Sequence, residues 1–160
     1  QGKKEAKKTA KKLKNVRIDY AFQTHLSRSK ETLKYVLHYH PECQKILTDD
    51  RMLERDYGRL KGRFHRTVIK EYGQKNYSLW HRSYSVRPPA GESMKDVEKR
   101  VRAFIHDLLI FLKKNKGNVA ISAHGNSMRP FRRYFEKLSK EKMMKIENPW
   151  DDYFVYNVRI

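Results

Sequence analysis

One stretch, Asn118 to Arg133, constrains the fold of this chain more than any other. It begins with a short apolar run, Val119 to Ala123, whose β-branched and small side chains predict a buried strand. From Met128 onward the apolar residues recur at helical spacing instead. A strand that passes at once into a helix is typical of an α/β domain, in which helices cover a sheet.

The turn between this strand and helix holds His124, Gly125 and Asn126. Gly125 permits a sharp turn, Asn126 or Ser127 can cap the helix, and Pro130 suits a first helical turn. A helix N-terminus offers free N–H groups and the positive end of the helix dipole, so a phosphate is the predicted occupant. Taken alone, the three residues favour an ordinary strand-turn-helix, because short motifs match by chance.

The charge balance points to anionic partners. The 160 residues carry 37 Lys and Arg against 18 Asp and Glu, a formal net charge of +19. Nucleic acid, an anionic surface and small polyanionic substrates are all compatible with this charge. Lysines concentrate at 3–14 and 113–116, where they suit solvated helix faces, with a basic arm for nucleic acid as the alternative for 3–14. Arginines lie near predicted turns, where their planar forks suit phosphate.

The single cysteine, Cys43, excludes a disulfide framework and a cysteine metal cluster. A reducing, cytoplasmic compartment is therefore expected. The sequence shows no signal peptide and no apolar run long enough to span a membrane.

The hydrophobic periodicity and the positions of glycine, proline and capping residues predict a single α/β domain over residues 1–160. It would have three layers, with a mostly parallel sheet between helices. We expect Ser27 to cap the second helix, Gly73 to end the third, and Ser93 with Asp96 to form a capping box for the longest one. The predicted strands are 17–23, a short one within 44–53, 119–123 and 153–158, and the predicted helices are 1–15, 27–40, 65–72, 93–115, 126–138 and 139–146.

Three of these strands are followed by residues suited to phosphate chemistry. Arg28, Glu54 and His124 each come after a strand, and the carboxyl ends of parallel strands share one edge of the sheet. Arg28 can clamp an anion, and His124 can donate to a phosphoryl oxygen or carry a proton. Glu54 is a candidate general acid or base.

Further donors could complete a pocket for a polyanion; they are Arg55, Tyr57, Arg82 and Asn126. The sequence has no Walker or HExxH pattern, no metal-ligand spacing and no cysteine placed to act. Phosphoryl transfer through a histidine, which needs no metal, fits these residues.

Five blocks of the chain resemble the 2,3-bisphosphoglycerate-dependent phosphoglycerate mutases of the histidine phosphatase superfamily. They occur in the family's order along almost the whole chain. The blocks are Leu26–Thr32, Glu54–Gly58 with Leu60 and Gly62, Trp80–Tyr84, Pro88–Ser93 and Ala123–Ser127.

This resemblance implies a phosphoglycerate mutase-like fold and a glycolytic and gluconeogenic isomerase that works through phosphohistidine. Glu54 matches the proton donor and acceptor, and His124 matches the histidine that stabilises the phosphoryl group in flight. The implied substrate contacts are Arg28, Arg55, Asp56, Tyr57, His65, His81, Arg82, Gly125 and Asn126. The resemblance also implies priming by 2,3-bisphosphoglycerate, no metal, and a homo-oligomer, either a dimer or a tetramer.

The chain departs from the family pattern in two ways. His81 stands where the family usually shows the first of two adjacent arginines, and His65 lies near an expected lysine. The family's first strand ends in Arg-His-Gly and carries the phosphoryl-accepting histidine, and no residues here match it. We expect a longer polypeptide that carries this strand. The alternatives are a phosphatase of small phosphoesters and a non-catalytic mutase-like subunit of an RNA-rich assembly.

Overall fold

Within residues 2–159, which the computed structural model describes, a three-stranded parallel sheet forms the centre of the molecule. Its strands are β1 (Tyr20–Gln23), β2 (Lys45–Thr48) and β3 (Val119–Ile121), in the order β2-β1-β3. Both pairings are parallel, with Tyr20 level with Lys45 on one side and with Val119 on the other. This confirms the predicted α/β class and the parallel sheet.

Helices cover both faces of the sheet. They are α1 (Gly2–Leu13), α2 (Ser27–Leu37), α3 (His65–Arg82), α4 (Met94–Asn115), α5 (Gly125–Glu136) and α6 (Lys140–Lys145), and short 3₁₀ helices span Asp50–Met52 and Gly58–Leu60. One face packs on α1 and α2 through Ala10, Ile18 and Val36. The other packs on α4, where Phe22 meets Phe104 edge to face. The sheet is therefore the middle of three layers.

The strand residues alternate between these two layers. Phe22 and Ile121 belong to the cluster around α4, whereas Ala120 belongs to the cluster around α1 and α2. Ala21, between its neighbours on β1, is completely buried. Such near-continuous apolar runs are expected of parallel strands, which are buried on both faces.

The predicted capping box opens α4. The Asp96 N–H donates to the Ser93 hydroxyl (3.2 Å), and the Ser93 N–H donates to the Asp96 carboxylate (2.9 Å). Arg87 also pairs with Asp96, and this hydrogen bond holds the pKa of that carboxyl below its usual range. The longest helix therefore begins where its sequence signature places it.

The predicted strand at 153–158 is wrong. The segment has no strand pairing and instead packs by side chains, with Tyr156 stacked on Phe135 at 5.0 Å. The Tyr156 hydroxyl donates to Glu136 (2.5 Å). Alternation of apolar residues selects a face for burial, but a strand also needs a neighbouring backbone to pair with.

The starts of two helices differ from expectation, and one helical run was not predicted. Ser27 is the first residue of α2 rather than its cap, because Leu26 takes the cap position. Gly73 has a non-helical backbone (φ 82°) and ends the helical run that begins at His65, as predicted, but a second run within α3 follows it to Arg82. Pro130 lies in the second turn of α5, because the helix begins earlier than predicted, at Gly125.

A deep cleft of about 2,070 Å³ runs along the outer side of β3. Apolar side chains of the flanking layers line it, among them Leu13, Leu112 and Phe131, and the segment 147–158 forms its far wall. One end of the cleft reaches Arg28, Glu54 and His124. No helix within residues 2–159 combines the length and apolarity needed to cross a bilayer.

Candidate active site

His124 lies at the carboxyl end of β3, where its ring is fixed from two sides. Arg28 Nε donates to His124 Nδ1 (3.0 Å), and Thr24 Oγ1 lies 2.9 Å from His124 Nε2. Thr24 follows β1, and Arg28 lies in the first turn of α2, so the elements predicted to converge do meet. His124 is only 5% exposed. The structure thus brings Arg28 and His124 together, as the strand order predicted.

Glu54 reaches the same place from the loop after β2. Its Oε1 accepts the N–H groups of Asn126 (3.1 Å) and Arg55 (2.8 Å). A Cβ built on Gly125 would lie 3.7 Å from Glu54 Oε2, an ordinary contact distance, so the start of α5 lies directly beside this carboxylate. The predicted occupant of the α5 N-terminus was a phosphate, and here the Glu54 carboxylate takes one of those N–H groups.

Ser127 ties the start of α5 to the Glu54 loop. Its hydroxyl donates to the Met52 carbonyl (2.7 Å) and accepts the His124 N–H (3.2 Å). The side chain has no exposed surface. Since both bonds are buried, this hydroxyl fixes the distance between the loop and the histidine.

Arg100, on α4, anchors the loop that carries Glu54. It forms a two-pronged pair with Glu92 (2.9 and 3.0 Å) and donates to the carbonyls of Arg51 (2.6 Å) and Glu54 (3.3 Å). Glu92 in turn accepts the Asp56 N–H (3.0 Å). The position of Glu54 therefore depends on a charged pair that the resemblance did not single out.

A second group of predicted residues forms an aromatic stack around α3. The His81 ring stacks on Tyr57 (4.9 Å between ring centres) and packs against Tyr77 (4.3 Å). The Tyr77 hydroxyl is 2.9 Å from His65 Nδ1. Burial, followed by the charges of His65 and Arg55, lowers the pKa of His81. His81 is therefore a neutral, half-buried ring at neutral pH.

Arg55, which was predicted as a substrate contact, is buried in the structure. Its guanidinium is buried and donates to the carbonyls of Glu92 (2.7 Å) and Trp80 (2.8 Å), with the Tyr57 ring 4.8 Å away. Burial lowers the pKa of Arg55. The side chain ties the loop to α3 and leaves little surface for a ligand.

Asp56 and Arg82, also predicted as contacts, lie apart from the cleft lining. The Asp56 carboxylate accepts the Gly58 N–H (2.9 Å), which closes a turn. Gly58 has a φ of 55° and faces the Pro89 carbonyl at a distance that no Cβ could tolerate, so the turn requires glycine. Arg82 is exposed at the end of α3, beside Lys75 and Ser78.

Two positions that matter for the geometry, Thr24 and Arg100, were missed in the sequence. Thr24 could have been found, because it directly follows a predicted strand. Arg28, Glu54 and His124 were selected as site residues for the same reason, since each comes after a strand. Arg100 sits within a long amphipathic helix, where nothing distinguishes it from a solvated arginine.

Burial, together with the basic groups around it, keeps His124 neutral. Burial, and then the nearby Arg28 guanidinium, lower the pKa of His124 to about 4, against the opposing effect of Glu54. A cationic clamp, a neutral imidazole and a carboxylate at a helix N-terminus can bind a phosphoryl group and move a proton to or from a hydroxyl.

Within residues 2–159, no three acidic, histidine or cysteine side chains are grouped as metal ligands would be. The fold is of the α/β class, and the residues of this site fit phosphoryl-transfer chemistry.

Comparison with known proteins narrows this class. Residues 1–157 match the model of the histidine phosphatase superfamily (branch 1). A 2,3-bisphosphoglycerate-dependent phosphoglycerate mutase of Mesorhizobium japonicum is 37% identical over 151 residues, which cover 92% of this chain and 73% of that protein. The enzyme of the same name from Chlamydia caviae is 32% identical over 183 residues, covering 98% of this chain and 80% of its own. This chain belongs to the histidine phosphatase superfamily.

A solved structure supports the same fold. The α-ribazole phosphatase of Shigella flexneri superposes with a TM-score of 0.76 at 22% identity, over 91% of this chain and 70% of the phosphatase. A likeness at this level of identity establishes the fold and leaves the substrate to the site itself.

Proposed function

We propose that this protein interconverts 3-phosphoglycerate and 2-phosphoglycerate through a phosphohistidine, primed by 2,3-bisphosphoglycerate and without a metal. The observation that carries the proposal is the convergence of Arg28, Glu54 and His124 at one end of the cleft. The names of the two relatives, both at more than 30% identity, support phosphoglycerate as the substrate.

In the proposed reaction, the phosphohistidine donates its phosphoryl group to the free hydroxyl of 3-phosphoglycerate. Glu54 accepts the proton of that hydroxyl while the new O–P bond forms and the N–P bond breaks. Arg28 stabilises the charge on the phosphoryl oxygens, with the neutral His124 ring held beside it. The bisphosphorylated intermediate then returns its other phosphate to the histidine, Glu54 returns the proton, and 2-phosphoglycerate leaves.

We propose further that the accepting histidine belongs to a strand outside residues 1–160. Support comes from β3, which pairs only with β1 within the described part of the chain and so leaves one edge free along the cleft. A strand added there would be buried between α1 on one face and α4 with α5 on the other, and it would end beside His124.

Mapping of the phosphorylated residue tests this part of the proposal. The whole protein is treated with radiolabelled 2,3-bisphosphoglycerate, and the acid-labile label is located by peptide mass. Label on a histidine outside these residues is expected. Label on one of the seven histidines of residues 1–160 would overturn it.

Glu54→Gln tests the mutase mechanism. The amide oxygen can still accept the two N–H groups, so the loop should keep its place while the proton relay is lost. We expect kcat for mutase turnover to fall by about 10²–10⁴ in a coupled assay. Glu31→Gln, at an exposed position of α2, is the matched control. Turnover that survives Glu54→Gln would remove Glu54 from the mechanism.

A phosphatase of small phosphoesters is the second candidate, and His81 favours it. The neutral, stacked His81 supplies no fixed positive charge where the mutases usually carry an arginine, which weakens the hold on a second phosphate. Release of inorganic phosphate without transfer to 3-phosphoglycerate would select this function. His81→Arg is then expected to shift the ratio of transfer to release toward transfer.

A further inference from the structure

Both nitrogens of the His124 ring face a single partner each, and the two partners differ in kind. Nδ1 lies 3.0 Å from Arg28 Nε, and Nε2 lies 2.9 Å from Thr24 Oγ1. A guanidinium Nε–H can only donate, whereas a hydroxyl can both donate and accept. The partner on the Nδ1 side therefore decides where the proton of the ring lies.

Because Arg28 donates to Nδ1, that nitrogen must offer its lone pair. A neutral imidazole then carries its proton on Nε2, from which it donates to the Thr24 hydroxyl. A proton on Nδ1 would set two N–H groups against each other at 3.0 Å.

Thr24 is itself held in place from the opposite side. Its N–H donates to Ser29 Oγ (3.0 Å), and that hydroxyl donates to the Ser122 carbonyl (2.7 Å). The Ser122 hydroxyl closes the network on the Ser29 carbonyl (3.0 Å). Thr24 and Ser29 have almost no exposed surface, so the network links β1, α2 and β3 in a dry setting where each bond matters.

The charged groups that face His124 come from several elements. Arg28 on α2, Arg100 on α4 and His25 in the turn after β1 oppose a positive charge on the ring, and Glu54 favours one. Burial acts in the same direction as the three basic groups. The surroundings therefore agree with the neutral ring that the hydrogen bonds require.

We propose that Thr24 is a positioning residue that, together with Arg28, holds His124 as the neutral imidazole with its proton on Nε2. The catalytic consequence rests on the proposed function. In the resting site, an incoming phosphate would meet its positive charge at Arg28 and not at His124. Thr24 fixes the plane of the ring and the direction of its N–H without touching the substrate itself.

Histidine ¹⁵N NMR on the chain labelled at its imidazole nitrogens tests the proposal without any substrate. The His124 signals are identified by their loss in His124→Gln. Near neutral pH we expect a pyridine-like shift for Nδ1 and a pyrrole-like shift for Nε2. A protonated Nδ1, or a doubly protonated ring, would overturn the proposal whatever the activity of the protein.

Two variants separate positioning from mere packing. Thr24→Val keeps the shape of the side chain and removes the acceptor, so exchange of the Nε2 proton with water should rise by about three- to tenfold. Thr24→Ser should restore the signals of the natural protein. An unchanged Nε2 proton in Thr24→Val would contradict the role of Thr24.

Thr9→Val provides the matched control, because the Thr9 hydroxyl is also nearly buried but bonds to the Glu5 carbonyl within α1. It should leave the His124 signals unchanged. If Thr24→Val does not fold, the Ser variant and the natural protein still decide the tautomer. In protein with mutase or phosphatase turnover, Thr24→Val should lower kcat by about tenfold with little change in KM.

Discussion

At the scale of single residues, burial determines how His124 behaves. The imidazole is 5% exposed, and its nearest charged partner is the Arg28 guanidinium, 3.0 Å away. In water a histidine would be partly protonated just below neutral pH, whereas here the neutral form is favoured. The protein thus keeps a basic nitrogen within the site without adding charge to it.

This arrangement makes stability depend on pH. The pKa of His124 falls from 6.5 to about 4 on folding, so between these values the unfolded chain binds a proton that the folded chain does not. The folded protein therefore keeps its full stability above pH 6.5 as far as this residue is concerned. It loses stability as the pH falls from 6.5 toward about 4. From about pH 7 to about pH 5 we expect a loss of about 2 kcal/mol in the free energy of unfolding.

Urea unfolding of the natural chain and of His124→Gln measures this contribution. The variant has no imidazole to titrate, so its loss over the same interval should be smaller by that amount. Parallel curves for the two proteins would show that His124 titrates alike in the folded and unfolded states.

At the scale of the elements, α4 serves both the core and the site. One face carries the largest core cluster, with Val97, Val101, Phe104 and Ile105 almost fully buried. A flank of the same helix carries Arg100, which anchors the Glu54 loop through Glu92 and two carbonyls. Helix α4 therefore connects the rigid core to the Glu54 loop and holds that loop in place by hydrogen bonds.

Arg100→Met tests this anchoring. The substitution keeps the length and packing of the side chain and leaves Glu92 without its cation. We expect a loss of about 1–3 kcal/mol and an increase of about tenfold in amide exchange at Asp56, whose N–H donates to Glu92.

Lys99→Met is the matched change at an exposed neighbouring position of α4 and should alter neither quantity. If both variants loosened Asp56 to the same extent, the effect would belong to α4 as a whole and not to the Arg100 contacts.

At the scale of the whole molecule, the free edge of β3 and the cleft beside it are the dominant features. In β3 the residues bonded to β1 alternate with those that face outward. Ser122 donates to the Phe22 carbonyl, and the Tyr20 N–H donates to the Asn118 carbonyl. By the same alternation, the backbone groups of Val119, Ile121 and Ala123 point into the cleft. An unpaired edge between apolar walls invites strand addition.

Amide exchange along β3 checks this geometry residue by residue. In a chain limited to residues 1–160, the amides of Val119 and Ile121 should exchange faster than those of Ala120 and Ser122, by about tenfold or more. In a protein that carries the proposed additional strand, all four should be slow. Equal protection within the shorter chain would mean that the edge is already paired.

Much of this organisation could be predicted from local sequence. The capping box at Ser93, the buried run at Val119 and the strand-to-helix turn at His124 are short-range patterns whose physical causes lie within a few residues. The convergence of Arg28, Glu54 and His124 could also be predicted from the sequence, because it depends only on parallel strands that end at one edge of the sheet.

What failed depends on partners that are distant in sequence. The segment 153–158 alternates like a strand but finds no backbone neighbour within residues 2–159. The partners of Arg55 are also distant in sequence, because its guanidinium donates to the carbonyls of Glu92 and Trp80. Gly73 ends the helical run that begins at His65, as predicted, but the second run of α3, whose Trp80 packs against Tyr72 of the first, was not predicted.

The sequence by itself therefore determined the class of fold, the elements that carry the site and the chemistry of the side chains at the strand ends. Only the tertiary structure decided which of those side chains line the cleft, that Glu54 accepts an N–H at the start of α5, and that Thr24 and Arg28 together hold the His124 ring. The reason is physical: propensity and periodicity act over a few residues, whereas hydrogen-bond partners and burial are set by residues far apart in the chain, as Thr24 and His124 are at 100 positions.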